Sequence, residues 1–319
     1  MSNVPAPSPA QAPLRYRGRF APSPTGPLHF GSLIAAVASY CDARALGGEW
    51  LVRIEDVDTP RSRPGAVDAI LRTLEQYGFM WDGPVVRQSA RHGLYDEAMA
   101  ELAARGALYA CVCSRRELEN AAVTATGERR YSGVCRGRAP TSVPRQQHAL
   151  RVEVGEGIVE FRDRLQGPQK QDLARDVGDF VVQRADGLHA YQLAVVVDDA
   201  EQGINAVVRG ADLLASTPRQ IFLQQALRLP LLTYLHVPIA INRAGAKLSK
   251  QTRARRLPDA PVPALLAAWQ FLEQPAPPDS ATSVAEFWTF AHLSWSPRRL
   301  PPVLMRPAPS QFDEAVAAG

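Results

Sequence analysis

Arg19-Phe20-Ala21-Pro22-Ser23-Pro24-Thr25-Gly26-Pro27-Leu28-His29-Phe30-Gly31-Ser32 decides the fold. Arg19 to Ala21 reads as the end of a short strand, Pro22 to Pro27 as a Pro and Gly turn, and Ser32 to Leu46 as a helix stopped by Gly47-Gly48. Trp50 to Ile54 follows as a buried strand, and Ala66, Ile70, Leu74 and Tyr77 recur at helical spacing before Gly78. Strand, helix, strand, helix in that order predicts a parallel sheet with helices packed on it, the first half of a nucleotide-binding α/β fold. At such a strand-to-helix junction the free N–H groups and positive dipole end of the helix face whatever binds above the sheet, so an anion is the natural ligand. His29 can donate to a phosphate there, and Gly31 leaves room for a nucleotide to approach.

The stretch from His92 to Leu188 holds Cys111, Cys113 and Cys135 and strand-like runs at Leu150 to Val154 and Ile158 to Phe161, which suggests an inserted mixed domain. Buried strands are expected at Ala190 to Val197 and at Ala206 to Arg209, then a helix from Pro218 to Leu227, so that the sheet resumes. From Lys247 the chain is helical in patches broken by prolines. The 319 residues are 46% apolar and 21% charged, as in an ordinary soluble globular chain. The longest apolar stretches, Leu33 to Cys41 and Leu193 to Val197, fall far short of the roughly 18 to 20 residues of a bilayer-spanning helix, so no membrane is expected. Met1 to Leu14 lacks a basic n-region and an apolar h-region, and reads as a disordered tail on a cytoplasmic protein. Four cysteines do not make a disulfide framework.

A net charge of +4 permits a polyanionic partner without demanding one. Of the 36 basic residues only Lys170, Lys247 and Lys250 are lysines, and two of those fall within Lys247-Leu248-Ser249-Lys250. That clustering suggests a place where a compact ammonium serves better than a planar guanidinium. Two ammonium groups and the Ser249 hydroxyl, with Arg253, Arg255 and Arg256 behind them, can neutralise a triphosphate as charge builds on its leaving group. Cys111, Cys113, Tyr131 and Cys135 put three thiols and a phenol within 25 residues, and three clustered thiolates suit tetrahedral zinc as well as they suit reduced, partly buried cysteines. Cys41 falls in the first helix and reads as core. Arg129, Arg130, Arg136 and Arg138 surround the clustered cysteines as a solvated face or as a track for RNA phosphates.

Taken together, the early His-x-Gly turn and the late Lys-x-Ser-Lys loop are the two halves of an adenylate-forming site, and here the sequence resembles a known family. Arg19 to Gly26 with His29-Phe30-Gly31-Ser32 is similar to the HIGH region of class I glutamyl-tRNA synthetases, and Lys247 to Gln251 to their KMSKS loop. Arg53-Ile54-Glu55-Asp56-Val57-Asp58, Gln88-Ser89 with Arg91, Asp198-Asp199, Val208 to Leu214 and Ser216 to Gln220 agree in type and order. Phe30 and Ser32 in the first motif, and Leu248 and Gln251 in the second, depart from the family pattern. The chain also stops about seventy residues after the Lys loop, without the helical anticodon-binding domain of the full-length synthetases. In that it looks like their truncated paralogues, which place glutamate on the queuosine base of tRNA(Asp).

The resemblance implies a class I synthetase α/β fold with a Rossmann-type parallel sheet. It divides the chain into a tail at 1–14, a first Rossmann half at 15–91, an inserted acceptor-binding-like mixed α/β domain with a zinc site at 92–188, a second half at 189–246, and a KMSKS-like loop with a short helical region at 247–319. The activity implied is ATP-dependent activation of L-glutamate to glutamyl-adenylate and transfer to queuosine in tRNA(Asp), with no DNA partner. A compact synthetase charging tRNA(Glu) shares the same site, a small-molecule nucleotidyltransferase is a more distant alternative, and a catalytically inactive RNA-binding relative is a third. Arg19, Phe20, Ala21, Pro22, Ser23, Glu55, Tyr191 and Arg209 would bind L-glutamate, the two arginines taking its carboxylates and Glu55 its ammonium. His29, Gly31, Ser32, Ser249 and Lys250 would bind ATP, with Mg²⁺ carried in on the nucleotide. His29, Lys247 and Lys250 would stabilise the transition state. For structural zinc the resemblance favours Cys111, Cys113 and Cys135 with Tyr131 as fourth ligand, while His92 and His148 are the conventional alternatives.

Overall fold

The computed structural model describes residues 15–119, 123, 129–142, 144, 148–248, 255–278 and 282–313. The expected tail at 1–14 lies outside them, as do Ser249, Lys250, Gln251 and Arg253. The chain opens with β1 (Arg17–Phe20), α1 (Phe30–Ala45), β2 (Glu49–Ile54), α2 (Ala66–Gln76), β3 (Val86–Arg87) and α3 (His92–Ala104). A middle stretch follows: β4 (Leu108–Cys111), α4 (Arg115–Glu119), β5 (Ala149–Val152), β6 (Ile158–Asp163), β7 (Gly167–Asp172), α5 (Leu173–Asp176) and β8 (Phe180–Gln183). Then come α6 (Tyr191–Glu201), β9 (Ala206–Gly210), α7 (Thr217–Ala226), β10 (Thr233–Val237), β11 (Ile239–Ile241), α8 (Pro261–Phe271), α9 (Val284–Ser294) and β12 (Met305–Pro307).

The alternation produces the parallel sheet that the turn predicts. Strands β1, β2 and β3 pair in parallel, and β10 pairs in parallel with both β9 and β6. The two groups meet where the Arg17 carbonyl accepts from Asn205 N at 3.1 Å and the Asn205 side chain accepts from Arg17 N at 2.9 Å. The chain leaves β1 toward β2 on one side and β9 toward β10 on the other. This is a topological switch point, beyond whose strand ends ligands bind in open α/β sheets. The middle stretch forms an antiparallel sheet β4-β5-β8, while its hairpin β6-β7 reaches back to put Asp163 opposite Tyr234 of β10.

One expectation is overturned. Ala190 to Val197 is not a strand: Tyr191–Glu201 is the helix α6. Its β-branched run is helical because tertiary burial overrides propensity. Leu193, Ala194, Val195 and Val196 pack into a core, and the same helix buries Asp198 and Asp199 where arginines meet them.

The C-terminal helices belong to the main core rather than hanging from it. Phe30 of α1 stacks on Phe312 at a ring separation of 4.2 Å and meets Phe271 of α8 edge-on at 5.8 Å. Buried Asp42 of α1 accepts from Tyr16 at 2.6 Å, from Arg164 at 2.6 and 2.9 Å and from the Trp295 indole at 3.2 Å, tying β1's entry, the insertion hairpin and the C-terminal region to one carboxylate. Each aromatic side chain buried here contributes on the order of 2–3 kcal/mol relative to exposure. Among the described residues no helix is long and apolar enough to cross a membrane.

Candidate active site

A cavity of about 610 Å³ opens where the C-terminal ends of β1 and β9 face the N-terminus of α1, a volume suited to a small-molecule ligand. It gathers Arg19, Phe20, Ala21, Pro22, Ser23, Glu55, Tyr191 and Arg209, and also His29, Gly31, Ser32 and Lys247, whereas Arg255 and Arg256, expected behind the Lys loop, are not among its lining. Thr25 and Asp212, which stand inside quoted motifs but carry no expected role, line it too, and so does the segment Val237 to Ala240, which no motif marks.

Arg19 is buried and held bidentately, Nε and Nη2 donating to the two Asp199 oxygens at 3.1 and 3.3 Å. Asp199 also takes Arg53 Nη2 at 2.7 Å, and the same nitrogen reaches Glu55 at 3.4 Å. Asp198 accepts from Gln88 at 2.8 Å, Arg91 at 2.6 Å and the Tyr95 hydroxyl at 2.9 Å. Arg53-x-Glu55, Gln88 with Arg91, and Asp198-Asp199 are therefore one buried network. Three guanidinium groups meet three carboxylates, which is how buried charge is tolerated. Burial alone would raise the Asp199 carboxyl, but Arg19 and Arg53 outweigh it and hold the group below the usual carboxylate range. For Glu55 burial prevails over Arg53 and Arg19, and its carboxyl is pushed up.

Arg209 stands on β9 across the cavity and is 5% exposed. Its Nε donates to His236 Nε2 at 3.0 Å and its Nη2 to Thr217 Oγ1 at 2.8 Å. The remaining nitrogen, Nη1, is buried and has no hydrogen-bond partner among the described residues. Leaving such a donor unsatisfied is costly, and a carboxylate in the cavity would repair it.

The opposite end is assembled on α1. His29 is its N-cap, with Nδ1 accepting from Ser32 N at 3.4 Å, which leaves Nε2 as the protonated, donating nitrogen. A Cβ on Gly31 would lie 3.1 Å from the His29 ring and 3.3 Å from the Leu248 carbonyl, so the early turn and the late loop come close enough here that a side chain would have to push a neighbour aside by a few tenths of an ångström. The early turn is bonded to the chain just beyond the late loop, Leu257 N donating to Leu28 O at 3.0 Å, and the loop starts from β11 with Leu248 N donating to Ala240 O at 2.8 Å. The departures from the family pattern become intelligible here. Phe30 is a core side chain, so a change there alters packing; Leu248 belongs to the same core and also lines the cavity, as Ser32 does. Lys247 Nζ forms an ion pair with Asp212.

In the insertion, Cys111, Cys113 and Cys135 bring their sulfurs within 4.8 Å of one another. The Tyr131 hydroxyl lies 3.4 Å from Cys111 Sγ and 3.6 Å from Cys113 Sγ, and Cys113 and Cys135 sulfurs are 3.6 Å apart. A zinc tetrahedron with metal–sulfur bonds of about 2.3 Å has edges of roughly 3.8 Å, so this donor set has the chemistry and spacing for the ion. The histidine alternatives lie elsewhere: His92 Nδ1 is 3.2 Å from His189 Nδ1, and His148 Nδ1 is 3.0 Å from the Pro144 carbonyl. Of the surrounding arginines, Arg136 is spent on buried Asp179 through two contacts of 2.7 Å. Cys41 is buried in α1, as the sequence implies.

Comparison with known proteins agrees with this geometry. Residues 15–260 match the family model for the catalytic domain of class I (E and Q) tRNA synthetases. The chain is 59% identical over 285 residues to the glutamyl-Q tRNA(Asp) synthetase of Dechloromonas aromatica, covering 88% of this chain and 94% of that protein. It is 52% identical over 290 residues to the protein of the same name from Pseudomonas aeruginosa, covering 90% and 95%. Among solved structures, the glutamate-tRNA synthetase of Elizabethkingia anophelis superposes with a TM-score of 0.73 at 24% identity, over 91% of this chain and 67% of that one.

Proposed function

The chain belongs to the class I (E and Q) tRNA synthetases, and within that family we propose that it activates L-glutamate with ATP and transfers it to the queuosine base of tRNA(Asp). The observation that carries the amino-acid assignment is the buried Arg209 Nη1, an unsatisfied cationic donor beside a cavity whose other wall holds Arg19 and Glu55. Glutamate has two carboxylates and one ammonium, and these three groups supply the complementary charges. Compact relatives named for the queuosine reaction, matched over nine-tenths of their length, support the choice of acceptor.

In the first step a glutamate α-carboxylate oxygen attacks the α-phosphorus of ATP. The bond to the β-phosphate bridging oxygen breaks, and pyrophosphate leaves. His29 Nε2–H, the α1 amides and Lys247 face the charge that develops, and Lys250 joins them by family resemblance. Mg²⁺ arrives with the nucleotide and needs no protein cage. In the second step a hydroxyl of the queuosine ring attacks the acyl carbon, AMP leaves, and the hydroxyl proton is released. No covalent enzyme intermediate is required. Cys111, Cys113, Tyr131 and Cys135 would hold a structural zinc ion, which cross-links the insertion and takes no part in either step. The cytoplasm, where ATP, glutamate and tRNA meet, is the compartment this reaction calls for.

Exchange of labelled pyrophosphate into ATP tests the first step. It should depend on L-glutamate and fail with L-aspartate or L-glutamine, and an absence of glutamate-dependent exchange would overturn the reading.

A further inference from the structure

The group that aims Arg209 comes from outside the motifs. Arg209 Nε–H can only donate, so His236 Nε2, 3.0 Å away, must present its lone pair and the ring proton must sit on Nδ1. That nitrogen lies 2.6 Å from Asp163 Oδ2. Asp163 is itself fixed: Oδ1 accepts from Leu165 N at 2.9 Å, Gln166 N at 2.8 Å and His236 N at 3.3 Å. Asp163 and His236 are both almost completely buried. Neither lines the cavity.

We propose that Asp163 and His236 are positioning residues for glutamate recognition: Asp163 fixes the His236 tautomer, His236 and Thr217 occupy two nitrogens of Arg209, and the third is left for a substrate carboxylate. The relay joins three elements distant in sequence, Asp163 at the end of β6, His236 on β10 and Arg209 on β9, with Thr217 opening α7. It gives the β6-β7 hairpin a part in the site that its sequence does not announce. The burial that makes His236 a poor base serves this arrangement, because a protonated imidazolium beside Arg209 would have no acceptor to offer. The inference rests on the assignment of Arg209 to glutamate.

Asp163→Asn tests it at nearly constant volume. With Oδ1 committed to backbone N–H groups, the new amide turns its NH₂ toward His236 Nδ1. That reverses the tautomer and sets an Nε2–H against Arg209 Nε–H. The expected result is a rise of about tenfold or more in KM for glutamate, with KM for ATP within about twofold of wild type. Ring ¹⁵N resonances of His236 should report an Nδ1–H tautomer in the wild type and an Nε2–H tautomer in the variant, a change that loose packing would not produce. If Asp163→Asn does not fold, Thr217→Val removes the nearer Nη2 acceptor, together with the Thr217 Oγ1 contact to His236 Nε2 at 3.2 Å, leaves Nη2 only the Leu213 carbonyl at 3.4 Å, and should raise KM for glutamate selectively. An unchanged glutamate KM with a reversed tautomer, or in folded Thr217→Val, would overturn the proposal. Arg209→Lys separates the two claims: an unaffected glutamate KM in that variant refutes the role of Arg209 itself.

Discussion

The two ends of the cavity are built on different principles. At the proposed amino-acid end, Arg19 and Arg209 are buried and locked by partners outside the cavity lining: Asp199 for one, His236 and Thr217 for the other. At the nucleotide end, donors come from the helix terminus and from Lys247, which is 43% exposed and pairs with partly exposed Asp212. A rigid, desolvated end can reject glutamine or aspartate through unsatisfied charge, whereas triphosphate binding needs only dense, accessible donors. The proposed site would thus concentrate discrimination at the end where rearrangement is most expensive.

This contrast can be broken by substitution. Asp199→Ala should be the most damaging change, because it strands Arg19 and Arg53 in the interior. Losing one partner of a buried pair costs about 3–5 kcal/mol, and urea unfolding would register it. A loss below about 1 kcal/mol would mean that the network is wetter and looser than its burial indicates.

Acid should act on the same end. Burial, joined by Arg209, pushes His236 down from 6.5 to about 4 against the pull of Asp163. A histidine kept neutral when folded stabilises the protein above its unfolded pKa, so about 3 kcal/mol should be lost progressively as pH falls from about 6.5 to 4. His292, lowered by burial, acts in the same direction, while the raised Glu55 carboxyl opposes the loss toward the acidic end. Denaturant melts across that window check the sign, and a flat profile would contradict the relay's neutral imidazole.

Lys247→Ala should leave stability within about 0.5 kcal/mol, as expected of an exposed ion pair. Its cost should appear in kcat for pyrophosphate exchange, lowered about ten- to hundredfold, with little change in KM for glutamate. Equal damage to glutamate binding would erase the distinction between the two ends. Smallest of all, Leu248→Met swaps one buried apolar side chain for another of similar volume, and should cost under about 1.5 kcal/mol with exchange kept.

The nucleotide end was the more legible in the sequence, since a Pro and Gly turn before a helix states its geometry locally. Arg19, Glu55 and Arg209 were recoverable as charged residues at strand ends or in family motifs. Asp199 was marked by a family motif but not as the partner of Arg19, and His236 and Asp163 were not marked at all, because these groups act through contacts between residues far apart in the chain. Leu193 to Val197 misled for a related reason: a β-branched run buried on most sides loses the periodicity that separates helix from strand. Tyr131 beside the cysteines was legible only through resemblance, and the structure brings its hydroxyl to the sulfurs while His92 and His148 lie apart.

The most direct measurement is transfer of labelled glutamate, with ATP and Mg²⁺, to tRNA(Asp) with and without queuosine and to tRNA(Glu) in parallel. The account predicts label on queuosine-containing tRNA(Asp) alone. Label on tRNA(Glu), or on tRNA(Asp) lacking queuosine, would contradict it.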